Sequence, residues 1–188
     1  LKDYKATIDA VDKYLQLIGN NDSEVIDGFS IYFMRGVSKG NLDDIEGGIK
    51  DLTKSLELKP DVNENYHIRG EMYFDIKDYK NALEDFNKVR KEDEKDEDLL
   101  QKIAYCKHYT KDYEGAIIDY KLLLDLVPKH KSYTYRNLGI VHKELKQYPD
   151  ALVYLEKSKK LDPDNEQTKK LMLEVMEKMK EEIDTQEG

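Results

Sequence analysis

The feature that most constrains this sequence is a repeat of about 34 residues. Several positions recur with like residues at spacings of 34, 34 and 35. Two sets of equivalent positions, here called columns, hold small residues. The first column is Gly36, Gly70, Ala104 and Gly139, and the second is Gly48, Ala82, Ala116 and Ala151. A third column is large at Leu52, Phe86, Tyr120 and Leu155, and prolines keep the register at Pro60, Pro128 and Pro163. A fixed period of this length indicates an array of similar supersecondary units.

Each unit of the repeat predicts two helices. In repeat two, apolar and small residues fall at i, i+4 and i+7 in two segments, Tyr66, Gly70 and Tyr73, then Ala82, Phe86 and Val89. Asp78 stands between them, where its carboxylate can accept a hydrogen bond from a free backbone N–H of the second helix. With only 10 glycines and 4 prolines, the chain favours helices over short strands. The sequence therefore predicts an all-α fold of ten helices in antiparallel pairs.

The two small columns have a mechanical explanation. Gly70 and Ala82 are expected where the paired helices cross most closely, because a larger side chain would push the helices apart. The large residue of the third column, Phe86 in this repeat, is expected to fill the space beside that crossing.

In these columns the chain resembles the tetratricopeptide repeat family, whose pattern is W-x₂-L-G-x₂-Y, then A-x₃-F, then P. Repeat two reads Tyr66-x₂-Arg69-Gly70-x₂-Tyr73 and Ala82-x₃-Phe86, and repeat four reads Tyr135-x₂-Leu138-Gly139-x₂-His142, Ala151-x₃-Leu155 and Pro163. The resemblance implies an α-solenoid in which antiparallel helix pairs stack as a right-handed superhelix.

The register also predicts how the chain is divided. Residues 1–19 are the second helix of an incomplete upstream repeat, 20–28 a linker, and 29–62, 63–96, 97–131 and 132–165 four full repeats. Residues 166–188 are a C-terminal capping helix that ends near residue 183 and a frayed tail. The capping helix is expected to cover the last repeat with Leu171, Met172, Val175, Met176 and Met179. The first helix lacks its own partner, so its apolar face is expected to pack on repeat one or to mediate self-association.

Signals of catalysis are missing from the sequence. There is no glycine-rich phosphate loop and no HExxH, and the four histidines are scattered. The single Cys106 excludes an internal disulfide and a cysteine-rich zinc site, and is expected to be a buried structural thiol. We therefore expect a non-catalytic protein with no cofactor and no metal.

Net charge and hydropathy limit the classes of partner that the chain is expected to bind. The net charge of −9 argues against general binding of nucleic acid. No apolar run is long enough to span a membrane, and no secretory leader is visible, so a cytoplasmic location is predicted. A run of acids at residues 92–98 is expected to be a solvated turn, or alternatively a docking spot for a basic partner.

The family resemblance implies where a partner binds. In this family the first helix of each pair lines a concave surface that holds a peptide or helix of another protein. The exposed residues of that surface, taken from the register, are Phe33, Met34, Val37, His67, Ile68, Lys102, Tyr105, Tyr109, Tyr133, Arg136, Asn137 and Ile140. We call these twelve residues the first-helix face. The alternative interpretation is that several of them, Phe33 and Ile68 in particular, only pack helix against helix.

One subclass of the family can be tested from the residue types that it requires at five positions of its first helices, here called slots. Its members hold the acidic tail of a chaperone with a two-carboxylate clamp of Lys and Asn, then Asn, then Lys and Arg, on three successive first helices. No frame satisfies the clamp; the frame that starts at repeat three, for example, holds Gln101, Tyr105, Asn137, Gln167 and Leu171 in those slots. We therefore expect a protein-binding scaffold that is not of the clamp type. The alternative from another class is a targeting or regulatory arm of a larger enzyme.

Overall fold

The structure is a computed structural model that describes residues 3–18, 27–90, 96–126 and 131–187. Over these ranges the chain forms ten α-helices and no strand, which confirms the all-α prediction. The helices are α1 Tyr4–Leu17, α2 Gly28–Gly40, α3 Ile45–Leu58, α4 Asn63–Asp75, α5 Tyr79–Val89, α6 Glu97–Tyr109, α7 Tyr113–Leu126, α8 Lys131–Glu144, α9 Tyr148–Leu161 and α10 Glu166–Glu187.

Tight turns join the first and second helix of each pair. The residue two positions before each second helix has a positive φ, namely Asp43, Lys77, Lys111 and Lys146. In three pairs an aspartate then caps the second helix: Asp44 accepts from Gly47 N at 3.0 Å, Asp78 from Asn81 N at 3.3 Å and Asp112 from Gly115 N at 3.0 Å. The N-cap prediction for Asp78 is therefore confirmed.

The small columns lie at the helix crossings, as predicted. A Cβ atom on Gly36 would lie 3.0 Å from the carbonyl oxygen of Gly48, and one on Gly48 would lie 2.9 Å from the carbonyl oxygen of Gly36. A Cβ on Gly70 would lie 2.8 Å from the ring of Phe86. Contacts this short leave no room for a larger side chain at Gly36, Gly48 or Gly70, so the glycines allow the close approach of these two helix pairs.

The chain divides into two compact units, residues 1–92 with α1 to α5 and residues 93–188 with α6 to α10. In the first unit α1 packs on α2, where Val11 and Leu15 are buried with Tyr32. The predicted linker lies mostly at residues 19–26, which are outside the described residues, and α2 begins at Gly28.

The second unit has two apolar clusters. Around the fully buried Tyr120 are Leu100, Ala104, Ala116, Leu123, Leu138 and Val141, from α6, α7 and α8. The second cluster joins α9 to α10 through Tyr148, Ala151, Leu155, Met172 and Val175. Cys106 is also fully buried, as expected.

The capping helix differs from its prediction in two ways. Helix α10 runs to Glu187, beyond the predicted end near residue 183, because no glycine or proline interrupts it and Thr185 Oγ1 donates to the carbonyl of Glu181 at 3.0 Å. Met176 is 45% exposed and does not cover repeat four, because its side of α10 faces away from the α9 cluster.

Candidate functional site

Ion pairs with a buried aspartate fix the first helix against the second helix in repeats one, two and three. Arg35 donates to both carboxylate oxygens of Asp51 at 2.8 and 2.7 Å, and Arg69 makes the same pair of bonds to Asp85 at 2.8 and 2.7 Å. The hydrogen bonds to Asp51 raise the pKa of Arg35. Two parallel bonds define orientation as well as distance, so these pairs set which side of α2 and α4 faces outward.

Repeats three and four vary this arrangement. Lys107 donates to the buried Asp119 at 2.6 Å in repeat three. In repeat four Tyr154 takes the place of the aspartate and its ring stacks on His142, with centroids 5.1 Å apart. Sequence analysis missed the column that holds Asp51, Asp85 and Asp119. The signal was available, because these aspartates share the 34-residue spacing of the repeat.

In the first unit the first-helix face is mainly apolar. Met34 on α2 is exposed, whereas Phe33 and Val37 beside it are half-buried. On α4 His67 and Ile68 are half-buried, and the His67 ring lies 6.4 Å from the ring of Phe86. The structure therefore brings these five predicted residues onto two first helices of one unit, with part of their surface in contact with solvent.

In the second unit α6 presents a cluster of rings. Tyr109, which is exposed, lies 4.6 Å from Tyr105 and 4.8 Å from His108 between ring centroids. Burial lowers the pKa of His108, with Glu144 opposing this in part, so the imidazole is neutral at neutral pH. On the same helix Lys102 donates to Asp98 at 2.8 Å.

Helix α8 contributes the remaining residues of the first-helix face. The Arg136 guanidinium lies 5.3 Å from the Tyr133 ring centre and donates to Asn165 Oδ1 at 3.3 Å. Ile140 is half-buried. Asn137 is only 5% exposed, and its Nδ2 has no hydrogen-bond partner in the part of the chain that the structure describes. Asn137 therefore lies deeper than an exposed groove residue, while remaining an unsatisfied donor.

Metal binding and a membrane-spanning helix have no support in the described ranges. No group of three or more His, Cys, Asp or Glu side chains there could hold a metal ion. No helix among those residues has the length and apolar character needed to cross a bilayer. Most of the acidic run at 92–98 falls on residues 91–95, which lie outside the described residues.

The fold and these faces define a helical-repeat protein of the α-solenoid class. Models of the tetratricopeptide repeat match residues 29–62, 64–96 and 132–165, together more than half of the chain. The chain belongs to the tetratricopeptide repeat family. Membership implies a protein–protein interaction scaffold, whereas the boundaries of the upstream half-repeat and of repeat three stay predictions.

Curated relatives match part of the chain. Over 98 residues it is 29% identical to Hsp70-Hsp90 organizing protein 3 of Arabidopsis thaliana, covering 52% of this chain and 17% of that protein. Over 110 residues it is 34% identical to serine/threonine-protein phosphatase T of Aspergillus oryzae, covering 57% of this chain and 22% of that protein. The chain thus spans about a fifth of the length of these relatives.

Solved structures share the fold. YrrB, described as a TPR protein with an unusual peptide-binding site, aligns with a TM-score of 0.74 at 17% identity, covering 93% of this chain and 84% of its own. A MamA structure aligns with a TM-score of 0.63 at 20% identity, covering 86% of this chain and 93% of its own. At these identities the likeness establishes the fold.

Proposed function

We propose that the first-helix face binds an extended segment or a helix of a partner protein, and that the chain acts as a non-catalytic scaffold. Family membership supports a protein partner, and the side chains of the face support this location. Tyrosine and arginine are enriched at the residues that contribute most to binding energy, and the face has Tyr105, Tyr109, Tyr133 and Arg136.

The observation that carries the proposal is the unsatisfied amide of Asn137. A buried N–H without an acceptor costs about 1–3 kcal/mol. The unbound chain therefore loses stability at this position. The Nδ2 atom is buried in the unbound chain, so the Asn137 side chain turns toward the first-helix face when a main-chain carbonyl of a bound segment supplies the acceptor. Tyr133 lies one turn before Asn137 and Ile140 about one turn after it, so apolar surface flanks the donor on α8.

The charge of α8 suggests the chemistry of the segment. Among the described residues Arg136 donates one hydrogen bond, to Asn165 at 3.3 Å, and its other N–H groups can pair with a carboxylate. The exposed ring of Tyr109 on α6 can pack on an apolar or aromatic side chain. A segment with an acidic residue close to an apolar one would match both groups.

The test is a triple variant, Tyr105→Ala, Arg136→Ala and Asn137→Ala, compared with the native chain in affinity capture and mass spectrometry. The main partner found with the native chain is then purified and its Kd measured with both proteins. We expect the triple variant to lose at least about tenfold in affinity, since each well-buried anchor is worth roughly 1–4 kcal/mol. Its helicity is measured by circular dichroism.

The matched control changes three outward residues on second helices, Ile118→Ala, Lys121→Ala and Lys160→Ala. It should bind as the native chain does. Asn137→Ala alone adds a second readout, because removal of an unsatisfied amide should leave the free energy of unfolding unchanged or raise it while binding weakens. A folded triple variant that binds with native affinity would rule out the first-helix face.

The clamp type of binding is not proposed for this chain, although relatives are named for organizing Hsp70 and Hsp90. Among the slots of the frame that starts at repeat three, Asn137 matches, whereas Gln101 and Leu171 replace cationic residues. A peptide with an acidic C-terminus should therefore bind no better than the same peptide with an amidated C-terminus.

A second candidate function is the targeting or regulatory arm of a larger enzyme. The observation that favours it is the 34% identity to a segment that makes up 22% of phosphatase T. Sequencing the complete transcript distinguishes the two candidates, because an enzyme arm requires a catalytic domain in the same reading frame. The cytoplasmic location stays a prediction, which microscopy of a tagged chain would test. The lack of nucleic-acid partners also stays a prediction, which a filter-binding assay would test.

A further inference from the structure

Helix α10 has one apolar stripe that is already used. Thr168, Met172 and Val175 are buried, and Met179 on the same side is half-buried. Met172 and Val175 pack with Tyr148, Ala151 and Leu155 of α9. This stripe attaches α10 to the rest of its unit.

A second stripe runs along α10 and is open. It consists of Leu173, Met176, Lys180 and Ile183, at successive spacings of three, four and three residues. Leu173 is 62% exposed, Met176 45% and Ile183 46%, and Lys180 is exposed. Alternating steps of three and four keep residues on one seam between two packed helices. The second stripe therefore has the pattern of a helix–helix contact, and the described part of the chain leaves it uncovered.

We propose that the second stripe pairs with the same stripe of a second copy of this chain, with the two α10 helices antiparallel about a two-fold axis. In this arrangement the stripe is complementary to itself. Leu173 faces the partner's Ile183, and Met176 faces the aliphatic stem of the partner's Lys180. Each contact occurs twice, as a two-fold interface requires.

The charges beside the stripe favour a second copy as the occupant. Asp184 follows Ile183 by one residue and Lys170 precedes Leu173 by three, so both lie on the same flank of the stripe, and both are exposed. In the antiparallel pair Lys170 faces the partner's Asp184, again twice. Within one chain they are fourteen residues apart on one helix, about 21 Å, so they cannot pair with each other. Glu177 weakens the dimer in this arrangement, because it meets the partner's Glu177 near the axis and the two negative charges repel each other.

This association differs from the one predicted for the N-terminal helix. In α1 the apolar residues Val11 and Leu15 are buried on α2, whereas α10 keeps three large apolar side chains open. One helix pair is smaller than the roughly 1,200–2,000 Å² of a stable interface, so the dimer should be weak, with a Kd in the micromolar range or above.

The test is sedimentation equilibrium of the full chain from about 1 μM to about 1 mM, the range that brackets such a Kd. Four proteins are compared: the native chain, Lys170→Asp, Asp184→Lys and the double charge exchange. Each single variant places like charges together twice and should weaken the dimer about tenfold. The double exchange restores opposite charges and should recover the native Kd. Circular dichroism checks that all four are folded.

A further variant, Glu177→Gln, removes the repulsion at the axis and should tighten the dimer several-fold. The proposal would be overturned by a native chain that stays monomeric across the whole range, or by a double exchange that dimerises no better than the single variants. A dimer that responds to Leu17→Asp, at an exposed residue of α1, and not to the α10 variants would also overturn it.

Discussion

At the scale of single residues, three buried polar atoms stand out within the described residues. Tyr120 Oη, Asn137 Nδ2 and His142 Nε2 have no hydrogen-bond partner there. Tyr120 occupies the large column of the repeat, where Leu52, Phe86 and Leu155 have no polar atom to satisfy. Its hydroxyl is therefore a cost to stability that a phenylalanine would not have.

The first prediction concerns Tyr120→Phe. Because an unpaired buried hydroxyl costs about 1–3 kcal/mol, the variant should raise the free energy of unfolding by about 1 kcal/mol at pH 7. Urea denaturation measures the difference. Tyr113→Phe, at a half-buried tyrosine, is the control and should change stability by less than about 0.5 kcal/mol.

The same variant has a pH signature. Burial raises the pKa of Tyr120 above its ordinary value of 10, with the neighbouring phenols Tyr133 and Tyr105 adding to the shift. Below pH 10 this phenol is protonated in both the folded and the unfolded chain. Above pH 10 the unfolded chain releases the proton first, so Tyr120 lowers native stability as pH rises. The stability advantage of Tyr120→Phe should therefore grow between pH 9 and pH 11, and a constant advantage would contradict this account.

At the scale of elements, the turns inside the helix pairs carry backbone strain. Lys77, Lys111 and Lys146 have φ values of 63°, 67° and 57°. A non-glycine residue in this left-handed region costs roughly 1–2 kcal/mol. The strain at Lys77 and Lys111 is tolerated because the aspartate cap that follows each turn and the buried helix faces beyond it fix the direction of the chain.

The second prediction is that Lys111→Gly stabilises the α6–α7 pair. The relief of left-handed strain is offset in part by the extra freedom of glycine in the unfolded chain, roughly 0.5–1 kcal/mol, so the net gain should reach up to about 1 kcal/mol. Lys121→Gly, an exposed lysine inside α7, is the matched control and should cost about 1 kcal/mol. Thermal melts of both variants give opposite shifts in Tm if the turn is strained, and parallel losses if it is not.

At the scale of the whole molecule, the chain consists of two compact units, and within each unit one helix pair packs on the next, α3 on α4 and α7 on α8. The Arg69–Asp85 pair links α4 to α5, and Arg69 Nη1 also donates to Thr53 on α3 at 2.9 Å. Its loss should therefore affect the first unit before the second. Arg35 links its own helix pair to α1 in the same way, because its Nη1 donates to Asp12 at 2.6 Å.

The third prediction concerns Asp85→Ala. It leaves the largely buried Arg69 without its carboxylate and should cost about 3–5 kcal/mol. Amide hydrogen exchange should show the greatest loss of protection in α3, α4 and α5, with smaller changes in α8 and α9. Glu57→Ala, which removes an exposed pair with Lys54, should change stability by less than about 1 kcal/mol. Equal loss of protection in all helices would mean that the two units unfold as one.

The sequence by itself determined the helices, their caps and their crossings. Gly70, Ala82 and Asp78 follow local rules of period, size and capping, so their roles could be predicted before any packing was known. The location of the first-helix face also followed from the register. Its burial did not, because the depth of Asn137 depends on how closely neighbouring helices approach, which no periodicity encodes.

The tertiary structure alone decided which side of each helix is covered. Met172 and Met176 belong to one broad apolar surface in the sequence of α10, yet one is buried and the other exposed. A helix of this kind can bury either stripe, and the neighbouring α9 cluster selects one of them. The physical reason is that burial is a property of pairs of surfaces, whereas hydrophobic periodicity describes one surface at a time.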